Sequence, residues 1–472
     1  MEWLEKYVKE HGVMIAGRNA FIIKSISYNV WGYIFRMSAI ALFALICFII
    51  FGSKTNQLSS FIWSSLSFFF ITIFSTVVLL KNQKWIWFFI IAYLVKVIIG
   101  LIHYLYFIDP NYFQGSGEYT SLTYEYQGVF DQIITSAHDK LQHGILNYQY
   151  YEGGVTHQEI ISLISIPFIY FGDYVLTISP INSFSSLLIS INIILISKYK
   201  FHISNAALKY IAVITTYFPM TLISTLLYRD IVGLLLMSIG LSLILFSKRA
   251  VTQYLMLIIA CYLFYLQRTM YPVILLLAFV INSVINQNYK SKRLDFFYKT
   301  GVISLSIILM PIIINYSNTE ANESMASSAL NFNVLLLPLK LILGLIGPFP
   351  WNQFLMYETI PAYAYQLGDY LQGALNVAMV TAITIYWKKY FIKDKFNLLN
   401  ITGILLIITG LFNSYMHMSY VAIGFSFLIP WLFTQINLSK FKKIYLYVFL
   451  AILFLNIVVF AFLGNLGIKS LL

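Results

Sequence analysis

The stretch KNQKWIWFFIIAYLVKVIIGLIHYLYF, residues 81–107, decides the class of this chain. Two lysines, Lys81 and Lys84, open it, and a long apolar run follows with Lys96 as its one charge. A run of roughly 17 to 25 apolar residues crosses the hydrocarbon of a bilayer as a helix, because lipid satisfies no backbone polar group. The pattern of basic cluster followed by apolar run recurs along the whole chain. Of 472 residues, 60% are hydrophobic and 10% charged, and the mean hydropathy is +0.78. Soluble domains carry about 25% charged residues, so the sequence is that of an integral membrane protein.

The runs at 37–53, 61–80, 85–108, 183–197, 205–227, 231–247, 251–267, 270–286, 300–316, 371–387, 397–413, 419–437 and 444–463 predict an all-α, polytopic helical membrane protein with about 13 full spans. Two further stretches, 160–178 and 333–350, are interrupted, the first by Pro167, Gly172 and Asp173 and the second by Pro338, Lys340, Gly344, Gly347, Pro348 and Pro350. They read as re-entrant or half-span segments. Basic clusters decide between dipping and crossing, because Lys and Arg collect on the cytoplasmic side. If both stretches dip and return, Lys81 with Lys84, Lys198 with Lys200, Lys248 with Arg249, Lys290 to Lys299, Lys388 to Lys395, and Lys440 to Lys443 all fall on one side with the N-terminus. That side is then cytoplasmic. Residues 109–159 and 317–370 become outer loops, and the C-terminus lies outside.

Residues 1–35 mix Lys, Glu and Arg with Trp3, Tyr7 and Trp31 and lack the short apolar core of a signal peptide, so they read as an interfacial amphipathic segment on the cytoplasmic face. Residues 36–472 form a single helical membrane domain, with no composition break, low-complexity tract or internal repeat. The net charge of +12 follows from the orienting clusters and gives no case for nucleic acid. Cys47 and Cys261 both sit in apolar runs, which excludes a disulfide framework or a thiolate metal site.

The two outer loops hold eleven of the 18 acidic residues. Within GEYTSLTYEYQGVFDQIITSAHDKL, residues 117–141, Glu118 and Glu125 stand seven apart and share one face of a helix lying along the membrane, with Asp131 on another. Tyr119, Tyr124, Tyr126 and Phe130 share that helix. Aromatic rings beside carboxylates offer a sugar an apolar face to stack on and acceptors for its hydroxyls, although an interfacial aromatic belt explains any single Tyr equally well. His138, His143 and His157 are not spaced to share a metal, and no metal or other cofactor is expected. Arg229, beside Asp230, and Arg268 both fall on the outer side, against the orientation bias. A planar guanidinium suits phosphate oxygens, while structural pairing or contact with lipid headgroups is the plainer alternative. Lys96 either pairs inside the bundle or reaches out to the interface. Trp351, in LGLIGPFPWNQF, stands at a rigid turn able to cup a ligand.

The long acidic, Tyr-rich first outer loop, the stretch YYEGGVTHQEIISLISIPFIYFGDY, then YFPMTLISTLLYRDIVGLLL and later GPFPW together resemble polytopic glycosyltransferases of the GT-C superfamily. More narrowly the chain resembles bacterial O-antigen and capsule repeat-unit polymerases. The resemblance implies a polysaccharide polymerase of the bacterial inner membrane, multi-pass with a cytoplasmic N-terminus. Its donor would be a glycan on undecaprenyl diphosphate, and its partners membrane lipid and a chain-length regulator or other polysaccharide-assembly proteins. No clear DxD or ExD opens the first loop, which implies metal-independent chemistry. On this reading Glu118, Glu125 or Asp131 is the base, with His417 a further candidate, and Arg229 and Arg268, with Asp230, Tyr119, Tyr124 and Trp351, bind the substrate. The competing class is a flippase or exporter of lipid-linked oligosaccharide, which would place its charges within spans. A membrane-bound acyltransferase ranks third, since only His103 lies near a span.

Overall fold

A computed structural model describes residues 28–107, 120–145, 158–217, 230–268, 270–286, 301, 360–386, 397–412, 418–436 and 438–465. Among these residues there are 14 helices and no strand. They are α1 (Val30–Phe51), α2 (Gln57–Leu80), α3 (Gln83–Phe107), α4 (Thr120–His143), α5 (Gln158–Phe171), α6 (Ile178–Tyr199), α7 (Asn205–Tyr217), α8 (Asp230–Phe246), α9 (Ala250–Gln267), α10 (Tyr271–Asn286), α11 (Ile360–Ile385), α12 (Leu398–Phe412), α13 (Met418–Gln435) and α14 (Leu438–Asn465). Helices α1, α2, α3, α6 and α9 are long and apolar enough to cross a bilayer, and the other apolar helices have shorter described runs. The predicted run 300–316, beyond Gly301, and the second interrupted stretch 333–350 lie outside the described residues, as do the interfacial segment up to residue 27 and the clusters 290–299 and 388–395.

Local chemistry places the helix ends. Asn29 and Asn56 cap α1 and α2, accepting from the backbone N–H of Gly32 at 2.7 Å and of Ser59 at 2.8 Å. Helix α4 stops at Gly144, which takes φ +100, and α5 stops at Gly172, which takes φ +80. Pro167 does not interrupt its segment: α5 runs through it and breaks only at Gly172, and a short 3-10 turn, Val175–Thr177, then leads straight into α6. The span predicted at 183–197 therefore begins five residues earlier. At 1.5 Å per residue the 14 residues of α5 reach about 21 Å, short of the ~30 Å hydrocarbon.

Helix α6 is the centre of the bundle. Its membrane-length window is 94% buried, against 17% for α1 and 33% for α9. Its neighbours are α2, α3, α7, α8 and α13.

Aromatic contacts fix which helix ends coincide. Tyr28, ahead of α1, lies 4.8 Å from Tyr199 at the end of α6 and 4.9 Å from Phe246 at the end of α8. The Lys442 ammonium sits 5.5 Å over the Tyr210 ring, and that of Lys440 5.8 Å over Tyr386. Lys198, Lys200, Lys248, Arg249, Lys440, Lys442 and Lys443 thus gather at one end, and the rise of α2 brings Lys81 and Lys84 there too. The opposite end holds the α1–α2 turn, where the Phe171 carbonyl accepts from Ser60, and the close of α9 at Arg268.

Candidate functional site

Helices α4 and α5 form an antiparallel hairpin at the end opposite the lysines. Ile133, Ser136, Ala137 and Lys140 recur every three or four residues and are buried, so one face of α4 packs on Ile161, Ile164, Ser165 and Phe168 of α5. The predicted helix is present over Thr120–His143, and residues 117–119 of the predicted segment lie outside the described residues. Asp131 is exposed on its outer side, where its backbone carbonyl accepts from the Thr135 hydroxyl at 2.7 Å. Tyr124 and Glu125 lie on α4, with side chains outside the described set, and the helical period turns Asp131 about 120° from Glu125.

A polar seam runs between the two helices. The Lys140 ammonium donates to Ser162 Oγ at 2.7 Å and to Ser136 Oγ at 3.2 Å, and the Ser136 and Ser165 hydroxyls are 3.2 Å apart. Burial pushes the Lys140 pKa below its ordinary value, and the neighbouring Asp139 charge partly opposes that shift. At the rim, His138 Nε2 stands 2.7 Å from Asp173 Oδ2, which ties the exposed face of α4 to the break after α5. Among the described residues no three His, Cys, Asp or Glu side chains converge on a metal position.

Asp230 opens α8, and Arg268 caps α9 with its backbone N–H donating to Phe264 O at 3.2 Å. A Cβ on Gly233 would overlap the Gln267 side-chain amide, so the start of α8 and the end of α9 lie side by side. Helix α5 contacts both. Arg268, Asp230 and the α4–α5 hairpin, far apart in sequence, thus share one end of the bundle. Glu118, Tyr119, Arg229, Trp351 and His417 lie outside the described residues.

The interior carries a second polar group that the loops do not announce. Lys96, midway along α3, is 0% exposed, which removes the alternative of reaching out to the interface. Tyr93, one turn earlier, donates to the Ser65 carbonyl of α2 at 2.8 Å. Ser60 of α2 lies 3.3 Å from Thr177, and Phe68 packs on Phe184. Lys96 is therefore level with residues 60–68 of α2 and 177–184 of α6, in the half of the bundle away from the lysine clusters. Most buried hydroxyls here bond their own helix, as Thr72 does to Phe68 O at 2.7 Å and Ser75 to Ile71 O at 2.7 Å. At the level of Lys96, Ser64 bonds Phe61 O in the same way, but the buried hydroxyls of Ser65, Ser67, Ser179 and Ser183 have no hydrogen-bond partner among the described residues.

Nearer the basic end, the Tyr33 hydroxyl donates to Asn192 Oδ1 at 3.0 Å, and Asn192 Nδ2 donates to Ser238 Oγ at 3.1 Å. Ser190 bonds Thr215 and Thr216 of α7 at 2.5 and 2.9 Å. These bonds tie α6 to α1, α8 and α7.

In comparisons with family models, curated proteins and solved structures, nothing matches this chain.

Proposed function

We propose that the protein is a metal-independent membrane glycosyltransferase, a polysaccharide polymerase that moves a glycan from a polyprenyl diphosphate to an acceptor hydroxyl on the outer face of a bacterial inner membrane. The observation that carries this reading is the placement of the described carboxylates. Asp131, Asp139, Glu159 and Asp173 belong to the α4–α5 hairpin or its edge and share their end of the bundle with Arg268, opposite the lysine clusters. With thirteen spans and a cytoplasmic N-terminus, that end faces outward.

In the reaction, the acceptor oxygen forms a bond to the anomeric carbon while its proton passes to a carboxylate. The bond from that carbon to the diphosphate oxygen breaks, and polyprenyl diphosphate leaves with the bonding electrons. Glu118, Glu125 or Asp131 takes the proton, and the Arg229 and Arg268 guanidiniums hold the growing charge on the leaving group. The test replaces each carboxylate by its amide and each Arg by Lys and by Ala, reading glycan chain length in cells beside detergent-solubilised yield. A base should cost at least ~100-fold in rate. Arg→Lys should fall between wild type and Arg→Ala. Full-length polymer from every variant at normal yield would overturn the assignment.

One observation favours the competing reading of a flippase for lipid-linked oligosaccharide: Lys96 is a fully buried lysine inside a span, level with hydroxyls that have no partner among the described residues. Translocation of a fluorescent polyprenyl-diphosphate glycan in proteoliposomes, with no acceptor supplied, would select that reading.

A further inference from the structure

At the basic end, α7, α11 and α14 leave a half-open cleft of about 230 Å³. Its walls are Val213, Ile214, Leu375, Leu438, Phe441 and Tyr445, and Tyr210 with Lys442 forms the polar edge. Beyond Tyr445, α14 exposes Leu446, Leu450, Leu453, Phe454 and Val458 on its outer face. A side chain set of this kind faces lipid tails. The rim is basic: Lys209 precedes Tyr210, and Lys440 and Lys443 flank Lys442, all exposed. Lys440 and Lys442 rest on tyrosine rings, and every carboxylate side chain among the described residues belongs to the opposite end or its hairpin.

We propose that this cleft is a binding site for an anionic glycerophospholipid, an acyl chain lying between α7, α11 and α14 and the phosphate against Lys442. Charge and shape each argue for that occupant. An apolar slot open to the bilayer admits a tail, and a lysine rim that faces no carboxylate among the described residues favours a negative headgroup at its mouth. A soluble anion would have no use for the slot, and a neutral lipid would leave the rim unanswered.

The experiment uses the full chain in detergent and measures retained lipid by native mass spectrometry after exposure to phosphatidylglycerol or to phosphatidylcholine with the same acyl chains. Phosphatidylglycerol should be retained preferentially. Lys442→Ala should lower its retention about fivefold, the ~1 kcal/mol that one basic residue contributes near an anionic surface, and leave phosphatidylcholine unchanged. Val213→Trp, at a partly exposed wall position, should reduce retention of both lipids by filling the slot. Lys84→Ala removes a charge from the same end away from the cleft and should change neither. Equal retention of the two lipids, an equal effect of Lys84→Ala and Lys442→Ala, or displacement of bound lipid by millimolar inorganic phosphate would each overturn the proposal.

Discussion

Replacing Gly424 by Ala tests the packing on which the second half of the bundle depends. Helices α12 and α13 cross glycine to glycine. A Cβ on Gly424 would lie 2.5 Å from the Gly403 carbonyl oxygen, 2.6 Å from Ile407 Cγ1 and 2.8 Å from Ile407 N. Ordinary contact begins at 3.4 Å, so the helices must part by about 0.9 Å at this point. Two of the three atoms are backbone and cannot rotate away. Overpacking costs typically ~1–3 kcal/mol, and the rigid neighbours place this case near ~3 kcal/mol. Alanine recovers roughly 0.5–1 kcal/mol over glycine within a helix, which leaves a net loss of about 2 kcal/mol. Gly301→Ala is the matched control, since a Cβ there meets nothing within 4 Å among the described residues and should be neutral or slightly stabilising. Unfolding of both variants in mixed micelles by a denaturing detergent titration gives the two free energies. If Gly424→Ala proves as stable as Gly301→Ala, close glycine contact is not what holds α12 to α13.

Three other predictions concern charge. Lys96→Met keeps volume and removes a buried ammonium, so yield should hold while polymer length, or translocation, falls; a matching fall in yield would make Lys96 a structural cation instead. The depressed pKa of Lys140 means that the unfolded chain binds more protons than the folded one between the folded value and 10.5, so stability should rise with pH across that window. Melting curves of wild type and Lys140→Met would show it, and parallel curves would refute it. Single cysteines in a Cys47→Ala, Cys261→Ala background should react with an impermeant reagent from outside at Ser116 and Ser327 and not at Ser291; labelling at Ser291 would reverse the topology downstream of an interrupted stretch.

The gross class was legible in the sequence because hydropathy and basic clusters act over whole segments, and both survive as helices and as a lysine-bearing end. The α4 helix was legible for the same reason, its buried positions recurring at helical spacing. Pro167 misled because a proline within a helix loses only one ladder bond when its neighbours absorb it, whereas Gly172 could adopt the positive φ that ends the segment. The polar interior was not legible. A serine that bonds its own backbone four residues back looks the same in sequence as Ser67 or Ser183, which does not, and only the packing of α2 against α6 tells them apart. The meeting of Arg268 with the start of α8 likewise depends on a helix pairing that no local pattern encodes. The burial of Lys96 was one of two openings the sequence left, and the fold closed the other.

The enclosure of α6 bears on how the chain is made. A helix carrying Asn182, Asn192 and many serines, ringed by neighbours on every side, is a poor guest for lipid alone. Of the helices that touch it, α1, α2 and α3 precede it during synthesis; α7, α8 and α13 emerge from the ribosome later. Insertion must therefore run ahead of packing. A nascent chain halted after Tyr199 would present half of its polar surface to the bilayer, and release of α6 from the insertion machinery should wait for α7 and α8 to arrive and accept the hydrogen bonds of Ser190 and Asn192. Crosslinking of stalled chains to the insertion machinery, lost only once residue 246 has emerged, is the signature of that dependence.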